Sequence, residues 1–179
     1  MATTMHPGSH HLVAPRSLTQ KVCIGVGLAF VAAGLLGIVF PGFMAMHLSL
    51  AHNIIHLASG ALALWCGYAD DPKKAYSFAF GFGVVYGILG LAGFLIGEPG
   101  YPGVGHMEAD ENLMRVIPNV LEFGTADHIV HIAIAAVLIL SAYSWIKRRD
   151  VDNGTSGIIK TQARVDRDLN RRSDSERRV

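Results

Sequence analysis

Charge is what this sequence has least of. Asp, Glu, Lys and Arg make up 16% of its 179 residues, against about 25% in soluble globular domains, and nearly all of them lie outside four long apolar runs. That scarcity excludes an ordinary soluble domain and points to a membrane protein, in line with 51% hydrophobic residues and a mean hydropathy of +0.36. The formal net charge is +1, so the balance gives no reason to expect a nucleic-acid partner. Cysteine is scarce as well. Cys23 and Cys66 both lie inside apolar runs, where a thiol behaves as a small buried hydrophobe, and no structural disulfide is expected. Catalytic signatures are missing too: the chain has no G-x-S-x-G, no H-E-x-x-H and no phosphate-binding glycine loop, so no enzymatic activity is expected.

What is present is a unit that occurs twice. Residues 51–64 read AHNIIHLASGALAL, and residues 126–140 read ADHIVHIAIAAVLIL. Laid over one another, they pair His56 with His131, Asn53 with His128 and His52 with Asp127. Upstream, Gly25, Gly27, Phe30, Gly34 and Gly37 match Gly81, Gly83, Tyr86, Gly90 and Gly93 at a constant offset of 56 residues. The later pairs are offset by 75, so 19 extra residues fall inside the second copy, around His106 to Glu122. The repeating unit is therefore a helical pair.

Four spans follow, at about 22–40, 48–68, 76–96 and 126–146, each near the ~20 residues a bilayer core requires. Pro41 and Gly42 end the first, Asp70 to Lys74 form a polar turn, and the glycines and prolines at 97–103 end the third. Residues 1–20, with Pro7, Pro15, His6, His10 and His11, read as a flexible tail. A signal peptide is the other reading of the first run, but its length and the lack of a small-x-small cleavage site favour an uncleaved span. Residues 97–125 read as an acidic external loop, and residues 147–179 as a disordered charged tail. Arg16, Lys21, Lys73, Lys74, Lys147, Arg148 and Arg149 fall on one side and Arg115 alone on the other. The positive-inside rule then makes both termini cytoplasmic and the two copies parallel repeats. The expected fold is all-α, a compact membrane bundle of four helices in the lipid bilayer.

A helical period of 3.6 puts His52, Asn53, His56, Ser59, Gly60, Ala63 and Gly67 on one face of the second span. It puts Asp127, His128, His131, Ala135, Leu138 and Ala142 on one face of the fourth. Gly27, Gly34, Gly37, Gly83, Gly90 and Gly93 give the other two spans flat faces that allow close approach.

The pattern N-x-x-H-L-x-x-G at Asn53, His56, Leu57 and Gly60, with D-x-x-x-H at Asp127 and His131, resembles a family of small bacterial four-span membrane proteins catalogued as a domain of unknown function. The resemblance covers about residues 21–146 and implies that fold in a bacterial cytoplasmic membrane, with no activity attached.

Two readings of the polar cluster remain open from the residues. In the first, Asn53, His56, Asp127 and His131 hydrogen-bond across helices and lock a non-enzymatic structural or accessory membrane protein. In the second, His52, His56, Asp127, His128 and His131 supply ligands for zinc or another transition metal, or one histidine from each helix brackets a haem. A proton path through the membrane is not expected, because the inner halves of the spans contain no further acidic or basic group.

Overall fold

The computed structural model describes residues 15–104 and 108–176. Most of the N-terminal tail, with His6, His10 and His11, and His106 in the long connection lie outside them. Among the described residues the chain forms helices α1 (Leu18–Val39), α2 (Leu50–Tyr68), α3 (Pro72–Ile96) and α4 (Thr125–Glu176), with strands β1 (Glu98–Gly100), β2 (Asp110–Ile117) and β3 (Leu121–Phe123) between the last two.

The helices start where local chemistry allows. Ser17 caps α1 by accepting the Gln20 N–H, and Gln20 returns the bond to the Ser17 N–H, a reciprocal capping box. Ser49 caps α2 through the His52 N–H, and Asp71 caps α3 through the Lys73 N–H ahead of Pro72. Helices α1, α3 and α4 are long and apolar enough to cross a membrane. Only 28% of the apolar window of each is buried within the protein, which leaves broad apolar flanks such as Leu28, Leu91 and Leu140 uncovered. Helix α2 has 19 residues, but His52, Asn53, His56 and Ser59 lower its hydropathy.

Helix α1 packs mainly on α2, and α3 mainly on α4. Glycines set both distances. A Cβ on Gly34 would stand 3.0 Å from the Asn53 carbonyl, and one on Gly90 2.8 Å from the His128 carbonyl. Gly27 meets Leu64 and Gly83 meets Ile139 in the same manner. Between the pairs runs an aromatic column, Phe78, Phe82, Tyr86 and Phe30, with successive ring centroids 4.3, 6.2 and 5.3 Å apart. Cys23 and Cys66 are buried thiols at one end of it, among Ala63, Ala75, Ala79 and Leu138. The inward faces expected for α2 and α4 are buried, with Cys66 and Ser141 added.

Two regions differ from the sequence reading. Residues 97–125 hold a three-stranded antiparallel sheet in the order β1-β2-β3 in place of an unstructured loop. Leu113, Met114 and Phe123 supply its buried side. Buried Glu122 ties its turns by accepting the Gly103 N–H at 2.7 Å and the Asn119 N–H at 3.0 Å. The second difference is the tail. Residues 147–176 continue α4 where disorder was expected: despite Gly154 and Gly157, no proline interrupts 147–167, and side chains such as Gln162 and Asp166 bond one turn apart (2.9 Å).

Candidate metal centre

The cap at Ser49 fixes the first turn of α2, so His52, Asn53 and His56 point into the bundle, each at least 94% buried. Helix α4 places His131 opposite them. His52, His56 and His131 each present one ring nitrogen or equivalent ligand atom, and these three atoms lie within 4.8 Å of one another. The His52 ring is 4.3 Å from that of His56 and 6.1 Å from that of His131, centroid to centroid. Below them Phe30 stacks on His56 at 5.5 Å and the Tyr86 ring meets His131 edge-on at 4.9 Å. On the other side Phe123, at the end of β3, meets both His52 (4.9 Å) and His131 (5.3 Å) edge-on. The sheet thus supplies one wall of the site.

The surroundings orient these rings unequally. His52 donates its Nδ1–H to the His47 carbonyl at 3.0 Å, which leaves Nε2 as its ligating atom. Nδ1 of His56, of His128 and of His131 is buried and has no hydrogen-bond partner among the described residues. Asp127, 1% exposed, accepts the Gly124 N–H (2.9 Å), the His47 N–H (3.1 Å) and the His47 Nδ1–H (3.2 Å) on Oδ2, while its buried Oδ1 has no partner. Its place in the first turn of α4 suits a negative charge.

The other residues singled out from the sequence do not join the three histidines. His128 turns toward α3 and the sheet, donating its Nε2–H to the Asn112 carbonyl at 2.8 Å with its ring against Gly93. Asn53 donates to the Leu48 carbonyl at 3.0 Å and rests against Gly37. His47, Asp110, Glu122 and Phe123 have structural parts here that sequence reasoning missed. The one available signal was Asp127 itself, since a carboxylate entering an apolar helix needs a partner and His47 lies in the link just before α2. Asp110 pins the sheet to α4. It accepts the Asn112 N–H (2.8 Å), the Thr125 hydroxyl (2.8 Å) and the Thr125 N–H (2.9 Å to Oδ2). Burial by itself would raise its pKa, but these hydrogen bonds outweigh it and hold the carboxyl below its ordinary 3.8.

A cavity of about 250 Å³ lies beside the cluster, between α1 and α4, with His52, His56, Asp127 and His131 at its inner end. Three imidazoles suit zinc, copper, iron or nickel. A haem held between two histidines fits poorly. Across the helices the His52 and His131 rings are 6.1 Å apart, with Tyr86 and Phe123 edge-on to His131 and Phe30 stacked on His56, so aromatic rings take the space a macrocycle would need. Comparison of the chain with protein families, with curated proteins and with solved structures gave no match.

Proposed function

We propose that this chain is a four-span membrane protein, two parallel copies of a helical pair, that holds a first-row transition-metal ion on His52, His56 and His131 near its external end, with Asp127 beside it. The convergence of the three ligand atoms to within 4.8 Å carries the reading. A role in locking the bundle asks each histidine to bond a neighbouring helix. Nδ1 of His56 and of His131 bonds no neighbouring helix, and an unsatisfied buried polar atom is costly unless an ion or another partner meets it; Nδ1 of His128 is unpartnered too, so the convergence is what singles out the three ligands.

The repeat is supported by matching contacts. Gly34 meets Asn53 and Leu57, and Gly90 meets His128 and Ile132, with each partner displaced by the same 75 residues. Orientation is supported by three cation–π pairs, Arg16 over Tyr68, Lys74 over Trp65 and Arg149 over Trp145. All three fall at the end that the basic residues assign to the cytoplasm, where aromatic belts and Lys or Arg collect. The motif resemblance adds a bacterial cytoplasmic membrane. Protein purified in mild detergent without a His tag should retain about one metal ion per chain by elemental analysis. His56→Asn and His131→Asn should each lose it, because removing one ligand opens the site, and His128→Asn should keep it. Wild-type protein without metal, with only modest losses of thermal stability in the variants, would leave the histidines as packing groups.

A further inference from the structure

The cavity beside the histidines is built unlike a site for an ion alone. Its walls are apolar, from Ala29, Ala32, Ala33 and Leu36 on α1 and Val130 and Ile134 on α4. Ala29 and Ala32 are exposed, so the cavity reaches the outer surface of the bundle at the α1–α4 seam, which is packed less extensively than either helical pair. In the membrane orientation given above, that surface faces lipid. Among the described residues, the polar groups of the lining lie at the inner end, where Asp127 Oδ1, on a side chain 99% buried, has no partner.

Shape and chemistry together restrict the occupant. An apolar cavity of about 150 Å³ takes a benzene ring, so a cavity of about 250 Å³ takes a substituted six-membered ring and is too small for a phospholipid head group. Among the described residues no Lys or Arg lines it. A phosphate or carboxylate head would face Asp127 with no Lys or Arg to offset it, so it would depend wholly on a metal at the histidines for attraction. A ring bearing neutral oxygens meets none of these obstacles: its carbonyls can accept from imidazole N–H groups or ligate a metal held there, and its hydroxyl form can donate to Asp127 Oδ1.

We propose that this cavity binds a lipid-soluble quinone or quinol, its ring beside His52, His56, Asp127 and His131 and its apolar tail leaving for the bilayer between α1 and α4. The inference rests on the reading of the same cluster as a ligand site in a membrane protein, and it adds the class of molecule that reaches it. Decyl-benzoquinone titrated into the detergent-purified full chain tests it, with metal content measured on the same samples. Saturable binding is expected. Ala32→Phe and Ala33→Phe fill the slot from α1 while keeping every histidine, and should weaken binding by about tenfold or more while leaving the metal in place. Val137→Phe, on the outer face of α4, should change neither. No saturable binding, equal affinity in the two slot variants, or tighter binding of decanoate or decyl-phosphocholine would overturn the proposal. Quinone binding in wild-type protein that carries no metal would overturn the metal reading and leave this one standing.

Discussion

Asp110 shows how much a single side chain outside the apolar helices contributes, since it joins β2 to the first residue of α4. Its folded pKa lies below the ordinary 3.8, despite burial, because the Asn112 and Thr125 donors favour the charged form. A depressed pKa means that the stability it contributes is fully present above 3.8 and is lost as the pH falls through the lower folded value. Thermal unfolding of the wild type should therefore shift downward on acidification below 3.8 more steeply than that of Asp110→Asn. Parallel pH profiles for the two proteins would mean that the hydrogen bonds to Thr125 contribute nothing at that end of the bundle. The same scale separates His128 from His131. Both face inward from one helix and both leave Nδ1 without a hydrogen-bond partner among the described residues, but the first spends its Nε2–H on the Asn112 carbonyl while the second brings a ring nitrogen within 4.8 Å of those of His52 and His56.

Pairs of helices are set by the glycines. At Gly34 and Gly90 the atom that an added methyl would meet is a backbone carbonyl, at 3.0 and 2.8 Å, so the helices themselves must separate. Gly34→Ala and Gly90→Ala should each destabilise the protein by about 1–3 kcal/mol, and by similar amounts if the two copies share one packing. Gly25→Ala, with nothing within 4 Å of the new Cβ, should be neutral or slightly stabilising, as expected for alanine in a helix. Thermal unfolding in detergent measures all three, and a clear inequality between Gly34→Ala and Gly90→Ala would count against equivalent pairs. The two links between paired helices differ more than the helices do. The first is a short 3-10 turn, Phe43–Ala45, with Met44 and Ala45 at φ of 56° and 59°. The second contains the sheet that brings Phe123 over the histidines.

For the whole molecule, Lys73, Lys74 and Lys147 to Arg149 lie at one end of the bundle and the three buried histidines toward the other. Asp70 to Lys74 and both termini are expected in the cytoplasm, with the sheet outside. In intact cells, a membrane-impermeant maleimide should label Glu108→Cys and spare Lys74→Cys, with Cys23 and Cys66 buried and silent. The reverse pattern would invert the protein and place the histidines on the cytoplasmic side. Helix α4, 52 residues long, spans about 78 Å at 1.5 Å per residue, far more than a bilayer core of about 30 Å, so its exposed C-terminal part extends well beyond the membrane.

Sequence alone determined the apolar helices, their inward faces and the glycines that separate them, because a helix's pattern is local and its 3.6-residue period can be read from a single segment. It also placed His52, His56 and His131 on inward faces. Only the tertiary structure decided that these three converge while His128 turns away, since that depends on how α2 and α4 approach each other and on where Asn112 lies. The sheet was not legible, because strands of three residues such as β1 and β3 are too short to show alternation and form by pairing with β2. The bond from His47 to Asp127, the wall provided by Phe123 and the cavity at the α1–α4 seam all join segments distant in the chain, and no local pattern specifies such contacts.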